Sequence, residues 1–224
     1  MTIEWFLIII IGIVGLIVQG RLQSVFSKYS KIPMAGGMTG REVAEKMLRD
    51  NGIYDVQVIS TRGHLTDNYN PTNKTINLSE SVYSSNSVAA AAVAAHETGH
   101  AIQDAREYAP LRMRSALVPV ISIASQWSFI VIIVGLILIN TMPAIFWLGI
   151  AMIALSALFS VITLPVEFNA SARAMQWLES SGTLQGQALQ QAGTALKWAA
   201  STYLVAALSA IATLIYYLGI ARRE

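Results

Sequence analysis

The sequence predicts a mainly α-helical integral membrane protein with about four transmembrane helices and one small α+β domain. Two observations carry that fold class. Of the 224 residues, 54% are hydrophobic and 12% charged, against roughly 25% charged in soluble domains, so lipid must be part of the solvent. Four apolar runs are long enough to cross a bilayer, which takes about 20 helical residues. A net charge of +2 is too small to suggest a nucleic-acid binder. The absence of cysteine excludes disulfides, thiolate metal sites and cysteine nucleophiles.

The first run, residues 3–18 (IEWFLIIIIGIVGLIV), follows no basic segment and precedes no small-residue cleavage site. It is expected to be a retained anchor within residues 1–20. Residues 21–116 are expected to form the small domain. There REVAEKMLRD places Val43, Ala44, Met47 and Leu48 on one helix face, and Asn51-Gly52 ends the helix with glycine in the αL position. Residues 53–60 and 75–79 are β-like and flank a polar loop containing Gly63 and Pro71. The second of these strands reads either as a sheet edge, where unpaired backbone groups could bind an extended peptide, or as a buried central strand. Residues 87–105 predict an Ala-rich helix capped by Ser85 or Asn86. Runs at about 117–139 and 143–164 are separated by Asn140, Thr141 and Met142, so residues 117–164 predict a transmembrane hairpin. Residues 165–197 read as a further helical segment, entered at Pro165, which is expected to end or kink the third span. Residues 198–224 hold the fourth span and a tail; the early alanines and serines of this span suit close helix packing.

Chemistry concentrates at His96-Glu97-Thr98-Gly99-His100, an H-E-x-x-H pattern inside the predicted Ala-rich helix. Residues i and i+4 share a helix face, so both imidazoles can hold one zinc ion. Glu97 lies beside them, where it can accept a proton from water activated by the metal. The reaction implied is hydrolysis of a peptide bond. These two histidines and His64 are the chain's three histidines. A catalytic zinc usually takes three protein ligands, and either His64 or Glu167 can supply the third. Two membrane crossings separate His100 from Glu167, so both lie on the same side.

Two longer stretches carry a resemblance: HLTDNYNPTNKTINLSESVYSSNSVAAAAVAAHETGHAIQDA and LPVEFNASARA. In these, and in span order, the chain resembles the YugP-like neutral zinc metallopeptidases of bacterial membranes. The pattern is also similar to other gluzincins, such as the HtpX-type membrane proteases. The resemblance implies a zincin-like domain whose Zn2+ is held by His96, His100 and Glu167, with Glu97 as catalytic base. Where members often read LTDHYDP and VEFDAS, this chain has LTDNYNP and VEFNAS, so Asn68, Asn70 and Asn169 bring no acid or imidazole. Small residues at Ala170, Ser171 and Ala174 follow Glu167 at helical spacing, and Ala89 and Ala92 make a second small face. Two such faces favour docking of Glu167 onto the zinc helix.

Asp104, four residues after His100, could orient an imidazole. Arg173 could meet a substrate carbonyl or oxyanion, and His64 could lie near the cleft. All fifteen Lys and Arg residues except Arg222 and Arg223 fall within 21–118 and 166–197, which places the zinc domain in the cytoplasm by the positive-inside rule. The expected partners are the lipid bilayer and a polypeptide substrate, an unfolded or membrane protein by family analogy. A catalytically inactive zinc-binding scaffold of the same fold is the alternative, but a structural site needs no base such as Glu97. A transporter would call for ionisable residues within the spans, and the cores of the second to fourth have essentially none.

Overall fold

The computed structural model describes residues 3–63 and 66–222. The chain is mostly helical: α1 (Ile3–Tyr29), α2 (Gly40–Asp50), β1 (Gln57–Thr61), β2 (Asn68–Asn70), β3 (Thr75–Ser79), α3 (Glu80–Tyr83), α4 (Val88–Ala105), α5 (Ala109–Ile137), α6 (Pro143–Ser180) and α7 (Gly186–Ala221). Helices α1, α5, α6 and α7 are each long and apolar enough to cross a membrane. The chain divides into two compact units. One comprises Met1–Ile17, Arg112–Pro165 and Thr202–Glu224; the other comprises Val18–Leu111 and Val166–Ser201.

In the first unit, α5 and α6 pack through glycines. A Cβ on Gly135 would lie 2.5 Å from Phe146 Cα, and one on Gly149 would lie 2.7 Å from Ile132 Cδ1. Each helix thus presents a notch that the other fills, the small-residue packing that lipid-exposed helices use in place of a hydrophobic drive. Ile132, Phe146 and Ile150 form the buried cluster here, joined by Leu214 and Tyr217 of α7.

The second unit has an aliphatic core built from α2, β3, α4, α6 and α7. α2 begins with a capping box: Thr39 Oγ1 accepts from the Glu42 amide, and the Glu42 carboxylate accepts from the Thr39 amide. It ends in a Schellman turn. Gly52 has φ +73°, its amide donates to Arg49 O, and the Ile53 amide donates to Leu48 O, with Leu48 and Ile53 both in the core. α4 is capped by Ser87, whose Oγ accepts from the Ala90 amide, and not by Ser85 or Asn86. The Ser85 hydroxyl instead donates to Ser87 Oγ.

The architecture decides one expectation and corrects another. The sheet order is β1-β3-β2, with β3 parallel to β1 and antiparallel to β2, so residues 75–79 form the central strand and not an edge. Ile76 and Leu78 are fully buried, and Thr75 and Ser79 are buried as well. A short strand buried to this degree has neighbours on both sides. Pro165 does not end the third span either: α6 is continuous through it. Proline removes one backbone donor, and within a 38-residue helix that loss is tolerated, as it is in membrane helices generally.

Candidate metal centre

His96 and His100 lie one turn apart on α4, and Glu167 reaches them from α6. The nitrogen and carboxylate donors of these three residues all fall within 4.8 Å of one another. His96 Nε2 is 3.3 Å and His100 Nε2 is 3.6 Å from Glu167 Oε2. The imidazole rings stand edge to face, with centroids 4.8 Å apart. Glu167 is 2% exposed, and an ionised carboxylate at that depth needs cationic or hydrogen-bonding partners.

Gly99 permits the approach of the two helices. A Cβ there would meet Ala170 O at 2.6 Å and Ala170 Cα at 3.1 Å. Ala170 and Ala174 are fully buried, and Ala174 shares the core with Ala89 and Ala92. The backbones therefore come close at the turn that carries the histidines.

The far side of each ring is also engaged. His96 Nδ1 lies 3.1 Å from Ser171 Oγ, and His100 Nδ1 lies 3.0 Å from Gln103 Oε1. With the Nδ1 atoms so occupied, both Nε2 atoms face Glu167. Two imidazole nitrogens and a carboxylate oxygen converging on one point are a donor set suited to zinc, and partners on the opposite nitrogens are typical of metal-bound histidines. The residues fit the ion.

Glu97 is 8% exposed. Burial pushes its carboxyl above the ordinary range; the positive potential of His96 and His100 opposes this, while Glu167 and Asp67 add to it. For His100, burial disfavours the charged ring, but the hydrogen bond to Glu167 and the charges of Glu97 and Glu167 outweigh it and raise the pKa.

Asp104 and Arg173 lie elsewhere in the network. The Asp104 carboxylate accepts from Tyr69 Oη at 2.8 Å and Lys74 Nζ at 2.6 Å, tying α4 to β2 and the turn that follows it. Gln103, one residue earlier, is the group that meets His100. Arg173 Nε donates to Asn169 Oδ1 at 2.7 Å, and the side chain lines a cavity of about 220 Å³ with Met47, Asn51 and Trp177. His64 lies outside the described residues. Sequence reasoning missed Gln103 and Ser171, although helical spacing was the available signal: Gln103 is three residues past His100, and Ser171 is four past Glu167.

Comparison with known proteins bears on this arrangement. Residues 4–222 match the family described as "Putative neutral zinc metallopeptidase". The chain belongs to this family. It is also 40% identical over 199 residues to the "Putative membrane protease YugP" of Bacillus subtilis (strain 168), covering 89% of this chain and 88% of that protein. No solved structure gives a significant match. Family membership suggests zinc, and His96, His100 and Glu167 could hold it.

Proposed function

We propose that this protein is a multi-pass membrane zinc metallopeptidase, with a zincin-like domain of the gluzincin type. The observation that carries the reading is the convergence of His96, His100 and Glu167 beside a buried Glu97. In this reading the histidines and Glu167 hold the ion, and Glu97 is the catalytic base. Zinc, when bound, supplies Lewis acidity toward a carbonyl and lowers the pKa of water. Glu97 takes the proton from the attacking water and passes it to the departing amine nitrogen, so one carboxylate serves both halves of the hydrolysis. Its burial keeps bulk water from competing for that proton.

The substrate is a polypeptide, unfolded or membrane-inserted; support for a peptide substrate comes from the name of the Bacillus relative, "Putative membrane protease YugP". The zinc domain faces the cytoplasm, with Arg21, Lys28, Lys31, Arg112, Arg114, Arg173 and Lys197 flanking the spans on that side.

The test uses purified full-length protein, an unfolded polypeptide, and mass spectrometry of released peptides. Wild type should bind one zinc per chain and release peptides. Glu97→Gln should keep the zinc and lose roughly 10²–10⁴-fold in rate. Full activity in Glu97→Gln would overturn the assignment, and zinc without cleavage by wild type would make the protein a scaffold.

A further inference from the structure

Behind His100 lies a chain of hydrogen bonds whose polarity can be read from one end. Arg173 is always a donor, because its guanidinium does not lose its proton in proteins. Its Nε sits 2.7 Å from the Asn169 side-chain oxygen, so that amide must present Oδ1 there. The Gln103 atom 3.0 Å from the same Oδ1 must then be its NH2 group. The same nitrogen lies 2.7 Å from Val166 O, a backbone acceptor, which requires the same orientation independently. Gln103 therefore turns Oε1 toward His100 Nδ1 at 3.0 Å. An amide oxygen only accepts, so Nδ1 carries a hydrogen, and in the neutral ring that binds a metal it is Nε2 that offers a lone pair on the side of Glu167.

We infer that the Arg173–Asn169–Gln103 relay sets the tautomer and ring orientation of His100, and that Gln103 is a positioning residue for the metal. Gln103 suits the task. It is fully buried, and both its amide hydrogens and an oxygen lone pair are engaged. A buried amide with its polar groups satisfied resists flipping, because a flip would set oxygen against oxygen at Val166 and Asn169 and nitrogen against N–H at His100. The bond to Val166 O also ties α4 to the residue before Glu167, so one side chain holds two of the three ligands in register. At His96 the Nδ1 partner among the described residues is the Ser171 hydroxyl, which can donate or accept and leaves the tautomer open. Asn169 supplies the single feature the relay needs, an oxygen facing Arg173 and Gln103.

This inference rests on the zinc reading, and the experiment separates the two. Zinc affinity is measured by competition with a chromophoric chelator on full-length detergent-purified wild type, Gln103→Leu, Asn169→Leu and Asn169→Asp. Thermal unfolding in excess chelator reports the fold without metal. Gln103→Leu should weaken zinc about 10–100-fold, the usual cost of losing a partner behind a ligand. Asn169→Leu should weaken it in the same direction, and Asn169→Asp, which keeps an acceptor oxygen, should restore wild-type affinity. A purely structural role for Asn169 would not show that rescue. Gln103→Leu with a wild-type melt and wild-type zinc affinity would overturn the relay. If Gln103→Leu fails to fold, the Asn169 pair decides, and equal affinities for leucine and aspartate overturn it. A wild type that binds no zinc removes the metal centre, and the relay with it.

Discussion

Glu167 is buried on α6, and the imidazoles of His96 and His100 both face its carboxylate. Glu167→Ala leaves a pair of histidines and no carboxylate; zinc stoichiometry measured by metal analysis should fall well below one, and peptidase activity should disappear with it. His64→Ala should retain stoichiometric zinc. The reverse pattern would make the site a three-histidine one. The histidine pair was legible because i and i+4 share a helix face whatever surrounds them. The partner of His100 was less so. Gln103 and Asp104 are both within a turn of it, and a carboxylate is the commoner orienting group for a metal-bound histidine. What decides between them is β2 and the turn after it, where Tyr69 and Lys74 draw the Asp104 carboxylate away. Those contacts span 35 and 30 residues, beyond the reach of helical spacing.

Two elements set the geometry in which those residues meet. The contact of α4 with α6 depends on Gly99 having no Cβ. Gly99→Ala must push the helices apart against backbone atoms, and overpacking of this kind costs about 1–3 kcal/mol. The expected outcome is a lower melting temperature together with weakened zinc binding; an alanine variant matching wild type in both would deny the close approach. β3 is the second. Its central place predicts that proline at Ile76 or Leu78 abolishes zinc binding and cleavage together, since each change removes a ladder donor inside the sheet. Selective loss of cleavage in a folded, zinc-loaded variant would contradict that. The strand itself was legible in TINLS, but its place in the sheet was not. Thr75 and Ser79 look like solvent-facing positions, yet Asn73 accepts from the Thr75 hydroxyl and Asp67 accepts from the Ser79 amide and hydroxyl. Polar partners recruited from flanking loops let polar residues lie inside.

For the molecule as a whole, composition alone marked the four apolar helices, because the length of a bilayer crossing is fixed by lipid. The helix ends were not marked. α1 continues to Tyr29, past the fall in hydropathy at Gly20-Arg21, and α7 begins at Gly186. Hydropathy reports where lipid ends, whereas a helix ends where its backbone finds a cap or turn, as at Gly182 (φ +68°) after α6. The orientation proposed for the zinc domain can be checked cleanly, because the chain has no cysteine. Tyr54 is 82% exposed, so Tyr54→Cys places one accessible thiol in that unit. An impermeant maleimide should leave it unlabelled in intact cells and label it after lysis. Labelling in intact cells would reverse the topology.

The unit that carries the donors is assembled from two pieces of chain, Val18–Leu111 and Val166–Ser201, and His96 and Glu167 stand 71 residues apart, one in each. An ion shared between them is a reversible cross-link. It closes a long loop whose entropy rises only slowly with length, by about 0.6 kcal/mol per doubling, so the intervening segment can be large at little cost. Binding to the folded chain alone would stabilise it by about 4 kcal/mol at a thousand times the dissociation constant. Metal supply would then govern how long the protein survives as well as whether it cuts. Cells starved of zinc should lose the polypeptide to degradation, and Glu97→Gln, which keeps the clasp, should persist like wild type when zinc is present.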